Sequence, residues 1–249
     1  MNTIKPVRVE TEGYLLRMAE TPDDVAAAQR LRFTVFNVEL NEGLSASVET
    51  GLDADAFDPV CDHLLVEERA SGAVVGTYRL QTGRRAAEGL GYYSAQEFDF
   101  APFEPARDRM IELGRACVAA AHRNQTVLGL LWKGIARYAQ AESARYLVGC
   151  SSLTSQDENE GLAAYAQLAP RNLVAESWRT LPWPALRCRR TGEGALPTVK
   201  IPRLMTSYLL LGAKICGEPA IDREFGTIDF LTLFDLEAAS ARVLRKYLG

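Results

Sequence analysis

The stretch from Met110 to Ser152, MIELGRACVAAAHRNQTVLGLLWKGIARYAQAESARYLVGCSS, indicates how this chain folds. Met110–Val118 and Tyr146–Cys150 are apolar runs of the length expected for strands. The apolar residues between them recur at helical spacing, which buries one face of a helix: Val127, Leu130, Leu131, Gly134, Ile135 and Tyr138. A strand, a crossover helix and a second strand normally lie in one sheet, so this stretch predicts an α/β fold.

Two charged residues, Glu112 and Arg115, lie inside the first of these strands. Residues three apart on a regular strand point to opposite faces, so a shared site requires a change of direction between them. Gly114 lies between the two and predicts a β-bulge, because glycine inside a strand often marks one. A bulged strand before a helix N-terminus can aim backbone N–H groups at a ligand such as a thioester carbonyl. The alternative is a structural ion pair at a sheet edge.

The composition is that of an ordinary globular protein. The 249 residues are 47% hydrophobic and 24% charged, enough for one large domain or two small ones. The net charge of −4 gives no global basic field, so we expect no nucleic-acid partner. Five cysteines without a CxxC pair, and only two histidines, predict reduced thiols in a cytoplasmic protein and no metal site. The first residues do not resemble a signal peptide, and Leu204–Cys216 is too short to span a bilayer.

The rest of the chain adds strands and helices to this unit. Thr21-Pro22 is a strong helix start, and the helix runs to about Leu40. Arg32 and Phe36 share one face of it, as part of a site or as a surface pair. Also predicted are a strand at 14–18, a hairpin at 64–80, helices at 154–168 and 202–212, and a strand at 227–234. We expect a single domain over 14–235, a loosely held N-terminal extension over 1–13 and a C-terminal helix over 236–249.

The central stretch resembles the GNAT acyltransferase superfamily, in which a bulged strand and the following helix bind the acyl donor. The resemblance implies a mixed sheet with a bulged central strand and helices on both faces. The superfamily's pyrophosphate loop corresponds here to Arg123–Leu128, with Thr126 and Leu128 in place of glycines. Without those glycines the backbone cannot approach a pyrophosphate closely. This departure favours an acyl carrier protein (ACP) over coenzyme A as the donor.

A closer resemblance depends on several motifs together. Segments Leu31–Phe36, Phe57–Val66, Gly76–Leu80 and Glu112–Arg115 occur in this order in two families, the acyl-homoserine-lactone synthases and the ornithine–ACP N-acyltransferases, often labelled hemolysin-like. The second is the better match, because Tyr92–Phe98, Leu131–Ile135 and Tyr208–Asp229 are similar to its later motifs. The resemblance covers most of residues 14–235. It implies an acyl-ACP donor, no permanently bound cofactor, and a free amino acid acceptor, most simply ornithine in lyso-ornithine lipid synthesis.

The resemblance also implies a set of site residues. An amine near neutral pH must lose a proton before it attacks a thioester, and Glu112 is the first choice of base. Asp62 and His63 are the competitors, although strand neighbours face opposite ways. Arg79 and Arg115 either hold the acceptor's carboxylate or neutralise nearby aspartates. The remaining residues expected at the substrate are Arg32, Phe36, Asp58, Cys117 and Val118.

Two further sets of residues follow from the substrates. Because carrier proteins are acidic, Arg123, Lys133 and Arg137 are candidates for the docking face, the alternative being a solvated helix face. Asp222 and Asp229 could meet the far amine of ornithine, although such acids usually lie on the surface. The alternatives left open are glycine or another amino acid as acceptor, lactone synthesis, and a non-catalytic acyl-binding or membrane-active protein. Peripheral contact with the inner face of the membrane is also left open.

Overall fold

The computed structural model describes residues 7–239, which form one large sheet with helices on both faces. The strands are β1 (Val9–Glu10), β2 (Tyr14–Met18), β3 (Asp62–Glu68), β4 (Val74–Thr82), β5 (Met110–Val118), β6 (Tyr146–Leu153), β7 (Lys214–Ile215), β8 (Ala220–Asp222) and β9 (Thr227–Asp235). The helices are α1 (Pro22–Phe33), α2 (Ser47–Thr50), α3 (Gly83–Glu88), α4 (Gln125–Ala141), α5 (Glu158–Asn172) and α6 (Arg203–Leu211). This arrangement confirms the predicted α/β class.

The sheet is mixed, in the order β1-β2-β3-β4-β5-β6-β9-β7, with β8 also paired to β9. Only β5 and β6 run parallel, as expected for strands joined by the crossover helix α4. Helix α4 packs on one face of the sheet, where Leu131 and Ile135 join Leu64 and Leu147 in the largest apolar core. Helices α5 and α6 lie on this same face, whereas α1 and α3 cover the other.

The central strand β5 carries the predicted bulge. Thr77 of β4 pairs with Cys117, and Arg79 pairs with Gly114. One residue of β4, Tyr78, therefore lies opposite two residues of β5, Arg115 and Ala116. The residue with a left-handed backbone is Arg115, with φ 48°, and not Gly114. The bulge therefore lies directly after the glycine, at Arg115 and Ala116, while Gly114 keeps its pairing with Arg79. A non-glycine residue in this region of φ is held there by its surroundings, and here a network of ion pairs holds the Arg115 side chain.

Strands β5 and β6 separate soon after they begin. Their parallel pairing joins Met110, Ile111 and Glu112 to Tyr146, Leu147 and Val148 and goes no further. The strands approach closely just after this pairing, since a Cβ added at Gly149 would lie 2.1 Å from the carbonyl oxygen of Leu113. Beyond this point the two strands diverge and leave an opening in the sheet.

The ends of several elements differ from those predicted. The sequence predicts a loosely held segment over 1–13, but Val7 is buried and β1 pairs with β2. Thr21 caps α1 in a reciprocal capping box, and the helix continues as a π-helical segment over Thr34–Glu39. Helix α5 runs past 168 to Asn172 with Pro170 inside it. Of the predicted C-terminal helix, Leu236–Ala238 form one 3₁₀ turn, and 240–249 lie outside the described residues.

Candidate active site

A cavity of about 500 Å³ lies in the opening between β5 and β6. The side chains on its two sides differ in chemistry. On the face of the sheet covered by α4 and α6, the wall is apolar and includes Tyr78, Leu113, Trp132, Leu147, Tyr208 and Phe234. On the opposite face, the wall is polar and includes Arg79, Gln81, Tyr93, Ser94, Glu112, Arg115, Cys150, Asp222 and Asp229. A substrate that crosses the sheet here would have an apolar part on one side and a polar part on the other.

Glu112 lies on the polar wall and is 5% exposed. Its two carboxylate oxygens each accept a backbone N–H at 2.7 Å, one from Tyr93 and one from Ser94. Burial raises the pKa of Glu112 above its usual value, although these hydrogen bonds oppose the shift. A carboxylate with a raised pKa, fixed in orientation and open to a cavity, is suited to accept a proton.

Arg115 reaches the same part of the cavity as Glu112. Its guanidinium donates to the Tyr93 hydroxyl at 3.3 Å, while the backbone N–H of Tyr93 holds Glu112. The guanidinium also lies 4.6 Å from the ring centres of both Tyr93 and Phe225. The bulge therefore brings Glu112 and Arg115 to one face, as the sequence required for a shared site.

Three arginines and three aspartates form a buried network beside this wall. Arg32 binds Asp58 through both terminal nitrogens, at 3.0 and 2.7 Å, and Asp53 through Nε at 2.8 Å. Arg79 binds Asp55 at 2.6 Å and Asp58 at 2.9 Å, and Arg115 binds Asp53 at 3.2 Å and Asp55 at 3.1 Å. Burial alone would raise the pKa of Asp58, but the arginines hold it below its usual range. The network balances its own charges, which favours the neutralising role for Arg79 and Arg115 over binding of a substrate carboxylate.

The competing bases, Asp62 and His63, do not line the cavity. Asp62 pairs with Arg85 at 2.8 Å and accepts the Tyr138 hydroxyl at 2.6 Å. His63 is 2% exposed, and its Nε2 lies 3.0 Å from the carbonyl oxygen of Asp58. Burial lowers the pKa of His63. Both side chains have structural partners away from the cavity, so neither is placed to act as the base.

The residues predicted at the substrate are divided between the cavity and its surroundings. Phe36 and Arg79 line the cavity. Arg32 is 1% exposed and Asp58 4% exposed in the ion-pair network, so the interpretation of Arg32 as a surface residue was wrong. Cys117 packs against the α1 side, and Val118 offers its carbonyl oxygen to Arg123. These four residues, Arg32, Asp58, Cys117 and Val118, are not among those that line the cavity.

The predicted docking residues do not form one cluster. Arg123 borders the cavity, where it pairs with Glu39. Lys133 is half-buried on α4, and Arg137 is exposed and donates to the carbonyl oxygen of Arg8 at 2.9 Å. Arg123 is therefore the member of this set that borders the cavity, and docking of a carrier protein at Arg123, Lys133 and Arg137 stays a prediction.

Sequence reasoning missed several residues of the polar wall. Asp53 and Asp55 lie in an irregular loop, and only their spacing ahead of Asp58 hinted that three acids might act together. Gln81 lies directly opposite Glu112 in the β4–β5 ladder, and both atoms of its buried side-chain amide lack a hydrogen-bond partner among the described residues. Glu97, in a segment of 3₁₀ turns, carried no signal beyond its charge.

The chain is similar in sequence to known acyltransferases. Residues 31–133 match the acetyltransferase (GNAT) domain family. The chain is 33% identical to the L-ornithine N(alpha)-acyltransferase of Brucella abortus (strain 2308), over 93% of this chain and 88% of that protein. It is also 33% identical to the enzyme of the same name from Rhodobacter capsulatus, over 92% and 93% of the two chains. The chain belongs to the L-ornithine N(alpha)-acyltransferase family.

Membership of the L-ornithine N(alpha)-acyltransferase family makes the chain an acyltransferase, which excludes the non-catalytic interpretation. Two solved structures share its fold. The AHL synthase LasI aligns with a TM-score of 0.54 at 12% identity, over 94% of each chain. FeeM, an N-acyl amino acid synthase from uncultured soil microbes, aligns with a TM-score of 0.56 at 12% identity, over 92% of this chain and 95% of its own. Within residues 7–239, no helix has the length and apolar character needed to cross a membrane.

Proposed function

We propose that this protein transfers a fatty or 3-hydroxy fatty acyl group from acyl-ACP to the α-amine of ornithine by direct attack on the thioester. The observation that carries the proposal is the two-sided cavity, in which Glu112 and the bulge of β5 lie at the junction of the polar and apolar walls. The names of the curated relatives support ornithine as the acceptor.

The acceptor occupies the polar wall in this proposal. The carboxylate of Glu112 takes a proton from the α-ammonium of ornithine, so that a neutral amine faces the thioester. The backbone N–H groups of Tyr93 and Ser94 fix the orientation of this carboxylate and leave its remaining lone pairs for the substrate. The side-chain amide of Gln81, opposite Glu112, has both a free donor and a free acceptor with which to position the amine.

The bulge stabilises the oxyanion in this proposal. Arg115 and Ala116 lie outside the regular pairing of β4 with β5, and both line the cavity. Backbone N–H groups released from a ladder can donate to an oxygen that becomes negative as the amine adds to the carbonyl carbon. The C–N bond forms, the C–S bond breaks, and the pantetheine thiolate leaves. Of the two protons that nitrogen loses, one neutralises the thiolate and the other is released through Glu112.

The donor occupies the apolar wall. Tyr78, Trp132, Tyr208 and Phe234 line this wall with apolar surface that suits an acyl chain. At the start of α4, Asn124 caps the helix by accepting the N–H groups of Thr126 and Val127. Those two N–H groups are therefore not free for a pyrophosphate, which supports a pantetheine arm on a carrier protein over coenzyme A. Arg123 provides positive charge at the entrance for an acidic carrier.

The proposal is tested with purified protein, 3-hydroxyacyl-ACP and L-ornithine, with amide product measured by mass spectrometry and thiol release measured by absorbance. We expect an α-N-acyl ornithine, and a slower reaction when acyl-CoA replaces acyl-ACP. Loss of the base in Glu112→Gln lowers kcat by roughly 10²- to 10⁴-fold. Glu88→Gln, a matched change at an exposed glutamate of α3, leaves kcat as it is.

Two results would contradict this proposal. Failure to acylate ornithine with any carrier-bound donor would remove the acceptor and the reaction together. Full activity of Glu112→Gln, with Glu88→Gln as the reference, would leave the reaction but remove Glu112 as its base.

A further inference from the structure

A second group of acids lies at the polar wall beyond Glu112. Glu42, Asp222 and Asp229 line the cavity there, and Glu97 lies beside Asp229. Glu97 and Asp229 are each 5% exposed, and a carboxylate oxygen of each lies within 4.8 Å of the other and of the Cys150 sulfur. A buried pair of carboxyl groups at the edge of a cavity requires an explanation, because each group carries a desolvation cost there.

Two atoms of this group are buried without a partner. Oε2 of Glu97 and Oδ1 of Asp229 accept no hydrogen bond from any of residues 7–239. Asp229 itself is one of the residues that line the cavity. Buried polar atoms are almost always paired in folded proteins, and an unpaired one beside a cavity indicates a missing ligand.

The contrast with the arginine–aspartate network shows which charge is missing. Asp53, Asp55 and Asp58 each have carboxylate oxygens within 3.2 Å of two arginines. A positive charge therefore lies beside each of them, even at Asp53, whose carboxylate oxygens accept no hydrogen bond from residues 7–239. Glu97 and Asp229 have each other and Asp222 as charged neighbours, and the nearby Arg115 is already bound by Asp53 and Asp55. Burial, with the repulsion between these acids, raises the pKa of Asp229 to about 6 and that of Glu97 well above its usual value. A bound cation would relieve this repulsion.

We propose that Asp229 and Glu97 bind the side-chain ammonium of the acceptor and thereby select a diamino acid over a monoamino acid of the same length. This inference rests on the proposed function, because it assumes that the acceptor's α-amine lies at Glu112. It assigns selectivity to a pair of residues that take no part in the chemical step.

The position of the pair relative to Glu112 suits an amino acid with a terminal amine. Ser94 donates its N–H to Glu112 at 2.7 Å, and its hydroxyl accepts from the Cys150 thiol at 3.4 Å. The Cys150 sulfur in turn lies within 4.8 Å of a carboxylate oxygen of Glu97 and of Asp229. Glu112, Val148, Cys150, Ser152 and Asp229 also share one face of the sheet, by the register of β5, β6 and β9. An acceptor lying along this face presents one amine to Glu112 and the other to the acidic pair.

The test compares L-ornithine with L-norvaline, which has the same carbon chain without the terminal amine, under one acyl-ACP donor. We expect wild-type kcat/KM to favour ornithine by at least roughly 100-fold, since a buried acid left unpaired rejects the apolar analogue. In Asp229→Asn and Glu97→Gln, we expect the ratio to fall at least tenfold, mainly through a higher KM for ornithine. Asp108→Asn, at an exposed aspartate, is the matched control and keeps the wild-type ratio.

The comparison of ornithine with norvaline in the wild type can overturn the inference even if a substitution prevents folding. Equal use of ornithine and norvaline by the wild type would overturn the inference, as would an unaltered ratio in folded Asp229→Asn. In both cases ornithine is still acylated, and the proposed function stands. If no amino acid is acylated, both proposals fail. A metal ion held by Glu97, Cys150 and Asp229 is the rival occupant, so stoichiometric metal in the purified protein, with activity lost to a chelator, would also overturn the inference.

Discussion

Gln81 and Glu112 lie directly opposite each other in the β4–β5 ladder, and both side chains face the cavity. Opposite residues in an antiparallel pair have Cβ atoms about 5 Å apart, so the amide and the carboxylate border the same small volume. Gln81 is 1% exposed and its amide has no partner among residues 7–239, whereas Glu112 is held by two backbone N–H groups. Gln81 is therefore the member of the pair whose hydrogen-bonding groups have no partner among these residues.

Replacing Gln81 by leucine should separate activity from stability. We expect kcat/KM for ornithine to fall by about tenfold, because one or two substrate hydrogen bonds of about 1 kcal/mol each are lost. The free energy of unfolding should stay the same or rise, since the substitution removes an unpaired buried amide. Steady-state kinetics and urea denaturation measure the two quantities. Gln140→Leu, at an exposed glutamine of α4, is the control for the change in side chain; normal activity in Gln81→Leu would exclude Gln81 from substrate binding.

Arg115 should contribute more to stability than the exposed arginines do. Asp53 is fully buried between Arg32 and Arg115, and Arg115→Ala removes one of these two cations. Breaking a buried ion pair costs about 3–5 kcal/mol. Arg8→Ala breaks an ion pair whose side chains are 54% and 49% exposed, and should cost at most about 1 kcal/mol. Urea denaturation at pH 7 compares the two. Similar losses in both variants would show that the network does not hold the bulge in place.

Gly149 should be intolerant of even one added methyl group. An alanine Cβ there would lie 2.1 Å from the carbonyl oxygen of Leu113, at the point where β5 and β6 part. We expect Gly149→Ala to lower the free energy of unfolding by about 1–3 kcal/mol and to reduce activity, because β5 must move. At Gly129, inside α4, an added Cβ has no neighbour within 4 Å, and Gly129→Ala should be stabilising by about 1 kcal/mol. Thermal unfolding of both variants tests the pair, and an unaffected Gly149→Ala would contradict the close approach of the strands.

Selection of ornithine should depend on pH. The pKa of Asp229 is raised to about 6, so its carboxylate is charged above that pH and protonated below it. Since only the charged form pairs with an ammonium, the ratio of kcat/KM for ornithine to that for norvaline should fall as the pH drops through about 6. Protonation of Glu112 also changes kcat/KM with pH, but it affects both substrates and therefore cancels in the ratio. The ratio should be flat in Asp229→Asn, and a flat ratio in the wild type would contradict a charged Asp229 in binding.

Much of the framework was predictable because it depends on local patterns. The apolar periodicity of 110–152 gave β5, α4 and β6, and the glycine beside Glu112 and Arg115 gave the bulge. Glycine is the residue that takes a left-handed backbone most easily, yet here Arg115 takes it and Gly114 does not. Arg115 takes it because Asp53 and Asp55 hold its side chain, and these partners lie about sixty residues away in a loop without a periodic pattern.

The roles of the charged residues depended on partners that no spacing reveals. Arg32 lies on a helix face where an exposed arginine is common, yet its side chain is buried and paired with two aspartates. Asp62 and His63 lie at the start of a strand, where polar residues often form a site. Asp62 instead pairs with Arg85, and His63 lies against the backbone carbonyl of Asp58. Desolvation and pairing act through space, so one sequence position is compatible with a catalytic or a structural role until its neighbours are known.

The sequence by itself determined the strand–helix–strand centre and the presence of a bulge in its first strand, and it led to the prediction of Glu112 as base, because these follow from periodicity, glycine position and the chemistry of amide formation. Only the tertiary structure decided which acids are neutralised and which remain unpaired. Asp58 and Asp229 are both buried aspartates, but the first is surrounded by arginines and the second by other acids. That difference arises from the packing of distant segments around the opening between β5 and β6, where electrostatic energy depends on distance in space and not along the chain.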